Sequence, residues 1–191
     1  MSAQSCTSLD NEALDTVPMS PEEFKEISDI QQEVLQMVAN GENQDTILVS
    51  LCQLSESLLP NSVASVMIKD SKGLMNVISA PSIPPEGHVA LQGLKPGPGG
   101  GSCGNAVFQN RAQYVKDTFT DERWTDIRQI AHDFNLCSCW SMPIRNKEGI
   151  AIGSFALSSF EHREPSAFHK MLLDVSAFIV GVVLRREEKA A

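Results

Sequence analysis

Apolar residues recur every three or four positions near both ends of the chain, and this spacing predicts amphipathic helices there. The first helix is expected to start after Ser20, because Ser20 can cap it and Glu23 can complete a capping box. It should end at Gly41, and a second helix should run from near Asp45 to Pro60. Both helices carry an apolar side that needs a partner surface in the fold.

A last helix is expected from near Pro165 into the charged C-terminal stretch "LRREEKAA". Its apolar positions alternate in steps of three and four, which is typical of a coiled coil or a helix pair. These positions are Phe168, Met171, Val175, Phe178 and Val182. The spacing predicts that the two ends of the chain pack together as helices.

The middle of the chain changes its period. Stretches rich in β-branched residues, "SVASVMIKD" and "LMNVISA", flank Gly73, and "CSCWSMPIRN" and "IAIGSFALSSF" flank Gly149, so each pair predicts a β-hairpin. Between the hairpins we expect a short helix in "SCGNAVFQNR", a short strand in "QYVKD" and an amphipathic helix over residues 121–135. The predicted class is α+β, with a central antiparallel sheet, the terminal helices packed on one face, and the loop and short helices on the other.

Half of the ten prolines fall within residues 81–98, and a glycine-rich run follows them. Gly99, Gly101 and Gly104 have the G-x-G-x-x-G spacing of a dinucleotide-binding loop. That loop needs a strand directly before it, whereas Lys95-Pro96-Gly97-Pro98 cannot form a buried strand. The glycines are therefore expected to bend the loop into the start of a short helix at Ser102.

Charge and composition limit the classes of function. The net charge of −9 argues against nucleic-acid binding, and residues 1–60 account for it with eleven acidic residues and one lysine. The five cysteines are irregularly spaced, which favours free thiols in a reducing compartment. No signal-peptide pattern is present and no uninterrupted apolar run reaches the length of a membrane span, so a cytoplasmic location without membrane contact is expected. We expect residues 1–19 to be a flexible tail and residues 20–189 to form a single domain.

Several motifs together carry a resemblance to a known family. They are "GGGSCGNAVFQNR" before the short strand, "DERW" at the start of the middle helix, "CSCWSMPI" on a strand, and "GSFAL" after the last glycine turn. In this order they resemble the GAF domains of bacterial signalling proteins. The resemblance extends over roughly residues 22–188 and implies a GAF/PAS-like sheet with a ligand pocket beneath the loop and short helices.

What the resemblance implies is a non-catalytic sensory domain. Such domains bind a small molecule and pass the change through terminal helices that form homodimers. Their partners are output domains such as diguanylate cyclases, which make cyclic-di-GMP, phosphodiesterases and histidine kinases. No nucleic-acid or membrane partner is implied.

The candidate ligand-binding residues lie on three segments. They are Ser102, Cys103 and Gly104 at the helix start, Trp124 and Ile127 on the middle helix, and Cys137, Cys139 and Ser141 on one side of the predicted strand. The helix start could bind an anion, but cysteines are also frequent core residues, and that interpretation is the favoured one for these cysteines. The ligand is unknown: haem would need His88 or His132 as an axial ligand, and the C-x-C spacing does not predict a metal site.

Two alternatives remain open from the sequence. The first is a thiol redox enzyme similar to the free methionine-(R)-sulfoxide reductases, whose glycine loop also carries a cysteine at the place of Cys103. Against it, His132 stands near the position where that family has its catalytic cysteine, so no catalytic residue is assigned. The second is a dimerisation module of the same fold with a pocket filled by side chains.

Overall fold

The computed structural model describes residues 17–188, so residues 1–16 of the expected tail and residue 189 lie outside the described residues. The described part contains six α-helices, five β-strands and a single 3-10 turn. The elements are α1 (Pro21–Ala39), α2 (Gln44–Ser57), β1 (Ser62–Lys69), β2 (Met75–Ser79), α3 (Pro85–Ala90), α4 (Gly101–Gln109), β3 (Gln113–Val115), the 3-10 turn (Glu122–Trp124), α5 (Arg128–Asp133), β4 (Ser138–Arg145), β5 (Ala151–Ser159) and α6 (Ala167–Glu188).

The sheet has the order β2-β1-β5-β4-β3, and the paired strands are antiparallel. Both predicted hairpins are present, and β5 joins them by pairing with β1 on one side and β4 on the other. The α+β class and the antiparallel sheet are confirmed. The capping box is also present, since Ser20 Oγ accepts from the Glu23 N–H while the Glu23 carboxylate accepts from the Ser20 N–H.

Helices α1, α2 and α6 cover one face of the sheet. Alternation along β4 places Trp140, Met142 and Ile144 on this face, where they join Phe155 and Leu157 of β5 in the main core. The terminal helices thus pack where the apolar pattern predicts.

The Pro/Gly-rich loop, α4 and α5 cover the other face, as expected. Two details differ from the prediction. The loop contains a short helix, α3, and its end returns to the sheet through a bridge between Met75 and Leu94. The helix expected over residues 121–135 is instead the 3-10 turn followed by α5, because Asp121 caps the turn and Ile127, with φ of −129°, interrupts the helical backbone.

Helix α6 has apolar residues around most of its circumference. The stretch Ala167–Arg186 has a mean hydropathy of 1.8 and could cross a membrane by length and composition. Polar residues interrupt it, so the sequence shows no unbroken apolar run there. Half of that stretch is buried in the fold. Leu172, Leu173 and Val180 are buried against the sheet and the neighbouring helices, whereas Met171 and Phe178 of the predicted pairing positions are exposed.

Gly153 of β5 gives a test of how closely the strands pack. A Cβ at this position would lie 2.2 Å from the Met67 carbonyl oxygen of β1. Gly153→Ala should therefore lower the free energy of unfolding by about 1–3 kcal/mol through overpacking. Urea denaturation measures the change, and Gly97→Ala is the matched control because a Cβ there meets nothing within 4 Å. Equal stabilities of the two variants would contradict the close approach of β1 and β5.

Candidate functional site

Helix α4 begins where the glycine run ends, as predicted. Gly101 has a φ of +71°, and a Cβ there would lie 2.5 Å from Ile127 Cδ1, so this position requires glycine for both backbone and space. The turn places Ser102 and Cys103 at the start of α4, over the sheet. Gly104 instead faces the preceding loop, since a Cβ there would lie 3.4 Å from the Lys95 carbonyl oxygen.

Ser102 connects three elements through hydrogen bonds. Its hydroxyl donates to the Cys139 carbonyl oxygen of β4 at 2.8 Å and accepts from Trp124 Nε1 at 3.1 Å. Trp124 anchors its segment, because the buried indole is held by Ser102. Its ring also lines a small cavity.

Asn105 is a residue that the sequence analysis missed. It is buried on α4, and its amide donates to the Pro98 carbonyl at 2.7 Å and the Gly101 carbonyl at 3.0 Å. It thereby fixes the glycine run against the helix that follows. In the sequence, Asn105 is only a polar residue within a predicted helix. Its role became clear once the structure showed that it is buried.

The structure brings two of the candidate residues, Cys103 and Cys139, close together. Cys103 packs against a buried cluster that contains Cys139, Trp124 and Ala156, and the hydroxyl of the preceding Ser102 bonds to the Cys139 carbonyl oxygen. Donation from Cys139 lowers the pKa of Cys103 to about 7, against the opposing effect of burial, and Ser154 and Ser141 lower it further. The same contact raises the pKa of Cys139, and burial adds to that effect. Cys103 is therefore the nucleophilic member of the pair.

The expectation that Cys137 shares this site does not match its position. Cys137 precedes β4, and its thiol contacts Asn135 instead of the pair. Burial raises the pKa of Cys137, and the carboxylates of Asp117 and Glu161 raise it further. Alternation along the strand correctly predicted the side on which Cys139 and Ser141 lie, but Cys137 lies beyond the end of the strand, where that alternation no longer applies.

Two cavities lie on this face of the sheet. The smaller has a volume of about 30 Å³ and is lined by Ser102, Cys103, Trp124, Ile127 and Cys139, five of the predicted site residues. Ser65 of β1 and Ser158 of β5 line it as well and were not predicted. A volume of about 30 Å³ corresponds to roughly one water molecule, so this cavity cannot hold an organic ligand as it stands.

The larger cavity has a volume of about 200 Å³ and lies beside the first. Its lining is apolar except for Ser82 and consists of Val63, Ser82, Ile83, Pro84, Gly87, Leu91, Ile130, Phe134, Leu136 and Phe160. Ile83, Leu91 and Leu136 line both cavities and so stand between them. The cavity could not be predicted from the sequence, because its walls come from four separate stretches of the chain.

The two histidines considered as haem ligands lie outside both cavities. His88 Nε2 lies 2.9 Å from the Ala80 carbonyl oxygen, and His132 stacks on Phe119 with the ring centroids 4.5 Å apart, so neither lines these two cavities. Neither lining includes a charged side chain. Within residues 17–188, no group of three or more His, Cys, Asp or Glu side chains could hold a metal ion.

Ser102→Ala tests the connection between α4, the 3-10 turn and β4. The change leaves the buried Trp124 Nε1 without its acceptor, so the free energy of unfolding should fall by about 1–3 kcal/mol. Urea denaturation followed by tryptophan fluorescence measures the loss. Ser57→Ala is the control, because the Ser57 hydroxyl is exposed and bonds only within α2. A Ser102→Ala variant as stable as this control would contradict the role of the hydroxyl.

Comparisons with known proteins agree with this architecture. The model of the GAF domain family matches residues 43–184. A methyl sulfide methyltransferase-associated sensor from Methanosarcina acetivorans is 25% identical over 169 residues, which cover 88% of this chain. The chain spans 17% of the length of that curated relative.

Solved structures with the same fold include the GAF domain of a phosphotransferase and a protein named fRMsr. The GAF domain of the Acinetobacter phosphoenolpyruvate-protein phosphotransferase has a TM-score of 0.70 at 16% identity, over 90% of this chain and 98% of that one. The reduced form of the fRMsr of Staphylococcus aureus has a TM-score of 0.64 at 18% identity, over 83% of this chain and 94% of that one. At these identities the likeness concerns the fold.

Proposed function

Because the chain belongs to the GAF domain family, we propose that it is a non-catalytic, cytoplasmic sensory domain that binds a small molecule and passes the change to an output partner. The relative named as a sensor supports the sensory part of the proposal. The observation that carries the ligand-binding part is the apolar cavity of about 200 Å³ on the face of the sheet opposite the terminal helices.

The lining of this cavity indicates the class of ligand. Its side chains are aliphatic or aromatic apart from Ser82, so a charged ligand would lose its hydration without finding a partner. Apolar cavities of about 150 Å³ are known to bind benzene. We therefore expect an uncharged and mostly apolar ligand, of a size between benzene and indole.

Transmission would run through the sheet. Val63 of β1 lines the cavity, and the next residue, Ala64, belongs to the core beneath α1, α2 and α6. A ligand that binds one arrangement of α3 and α5 more tightly than another would increase the population of that arrangement. The strands and helices packed behind α3 and α5 would shift with it. The side chains shared by both cavities, Ile83, Leu91 and Leu136, are the ones that must move if a larger ligand extends toward Cys103.

Ile130→Phe tests the ligand site. The half-buried Ile130 lines the cavity from α5, and a larger ring there should occupy part of the space and weaken binding of indole by about tenfold or more. Isothermal titration and NMR shift mapping measure the binding. Ile150→Phe is the matched control, because Ile150 is 57% exposed in the β4–β5 turn.

In the wild-type protein, indole should shift resonances of cavity residues such as Leu136 and Phe160. Failure of indole and benzene to bind the wild-type protein, or equal binding to Ile130→Phe, would contradict the ligand proposal. That result would favour the alternative of a dimerisation module without a ligand.

The partner surface is expected on the terminal helices. Gln31 of α1 lies beside Asp174 and Phe178 of α6, and the Arg186 guanidinium donates to the Val38 and Glu42 carbonyls, so the two helices run in the same direction. Phe24 is 54% exposed and Phe178 is 61% exposed on these helices. Large exposed rings at helix-pairing positions favour a homodimer that continues into an output domain such as a diguanylate cyclase, a phosphodiesterase or a histidine kinase. The net charge of −9 gives no support to a nucleic-acid partner.

Phe178→Glu tests the dimer. A charge at this position should weaken association of the terminal helices, so the protein should sediment as a monomer at concentrations where the wild type is a dimer. Phe108→Glu is the matched control, since Phe108 is 58% exposed on α4 at the other face. A wild type that is monomeric at high concentration, or a dimer unaffected by Phe178→Glu, would contradict this interface.

A second candidate function is a thiol enzyme of the free methionine-(R)-sulfoxide reductase type. The proximity of Cys103 and Cys139 and the shared fold with the fRMsr of Staphylococcus aureus favour it. Against it, Cys103 lies in a cavity of about 30 Å³, which is far too small for methionine sulfoxide. Turnover of that substrate with a dithiol reductant, lost in Cys103→Ser and kept in Cys52→Ser, would replace the sensory proposal. We expect no turnover.

A further inference from the structure

We propose that Cys103 and Cys139 form a reversible disulfide when hydrogen peroxide enters the small cavity beside them. The proposal does not depend on ligand binding in the larger cavity or on the dimer interface. It rests on three features of the described residues: the position of both cysteines in one cavity lining, the hydroxyl groups near Cys103, and the size of the cavity.

The first feature is the proximity of two cysteines on different elements. Cys103 lies on α4 and Cys139 on β4, both line the same small cavity, and Cys103 packs against the buried cluster that contains Cys139. Both are free in this structure. They are 36 positions apart in sequence, so a bond between them would tie α4 to the sheet covalently.

The second feature is a set of buried serine side chains. Ser141 of β4 and Ser154 of β5 are fully buried, and their hydroxyls have no hydrogen-bond partner among the described residues. Both lie close enough to lower the pKa of the Cys103 thiol. Hydroxyls in this position can donate to a sulfur anion, which would account for two polar groups that the fold otherwise leaves unsatisfied.

The third feature is size. The cavity of about 30 Å³ is lined by both sulfur-bearing residues, and it has room for a molecule close to water in size. Hydrogen peroxide is such a molecule, whereas glutathione disulfide is many times larger. The cavity should therefore select small hydroperoxides over bulky disulfides as oxidants.

The chemistry balances with peroxide as the oxidant. The Cys103 thiolate attacks one peroxide oxygen, the O–O bond breaks, and hydroxide leaves and takes up a proton to become water. Cys103 is then a sulfenic acid. The Cys139 sulfur attacks the Cys103 sulfur, the S–O bond breaks as the S–S bond forms, and the Cys139 proton leaves with the departing hydroxide as a second water. One peroxide is reduced and two thiols are oxidised.

The remaining described cysteines are poor competitors. Burial raises the pKa of Cys52 to about 12, and that residue lies in the main core on the other face of the sheet. The pKa of Cys137 is also raised, so its thiolate fraction at neutral pH is small. Selective oxidation of Cys103 follows from its surroundings.

The experiment maps disulfides by mass spectrometry after treatment of the full chain with hydrogen peroxide. Trypsin leaves Cys103 in the peptide 73–111 and both Cys137 and Cys139 in the peptide 129–145, so the test uses Cys137→Ser to make the linkage unambiguous. We expect the two peptides to be linked after peroxide and separated again by dithiothreitol. Glutathione disulfide at the same concentration should give little linkage.

Two variants test the roles of the partners. In Cys139→Ser the reaction should stop at the sulfenic acid, which dimedone labels on Cys103. Ser154→Ala should slow oxidation at pH 6 by roughly three- to tenfold, because less of Cys103 is thiolate. Ser176→Ala, a buried serine in the core on the other face, should leave the rate unchanged.

Some outcomes would overturn the proposal. They are no linkage in the Cys137→Ser protein under peroxide, linkage that forms equally well with glutathione disulfide, or equal oxidation rates in Ser154→Ala and Ser176→Ala. A negative indole titration has no bearing on this test, so the two proposals fail separately.

Discussion

The alternation of large and small side chains along β4 is the constraint on which the rest of the structure depends. Trp140, Met142 and Ile144 point to one face and fill the core beneath the terminal helices. Cys139 and Ser141 point to the other, where Ser154 and Ser158 of β5 continue the small side chains. A helix can approach a sheet face closely where the side chains of that face are small. Helix α4 does so here, because Ser102 and Cys103 at its start are small as well.

This close approach explains why the predicted pocket is nearly closed. The side chains at the start of α4 lie directly on the strands, and the Ser102 hydroxyl bonds to the backbone of β4. Space for a ligand remains farther along the same face, beneath α3 and α5, in the cavity that Ile83, Phe134 and Phe160 line. The face therefore has two regions of different chemistry, one polar, small and thiol-bearing, the other apolar and larger.

The two regions suit two kinds of signal. The apolar region would respond to an uncharged organic molecule by changes in packing, and the thiol region would respond to a small oxidant by forming a covalent bond. Both regions contact β1, and other residues of β1 belong to the core beneath α1, α2 and α6. A change in either region would thus reach the terminal helices through the same sheet.

The sequence by itself determined the order of elements, the class of fold and the face on which Cys139 and Ser141 lie. These follow from local rules, because helical and strand periods and the capping box at Ser20 act within a few residues. The tertiary structure decided the rest. Cys137 lies outside the site because it precedes the start of β4. Helix α3 forms within a segment that has no periodic pattern. The walls of the cavities come from residues far apart in sequence. Space between packed elements depends on how closely their side chains meet, and no single stretch of the chain carries that information.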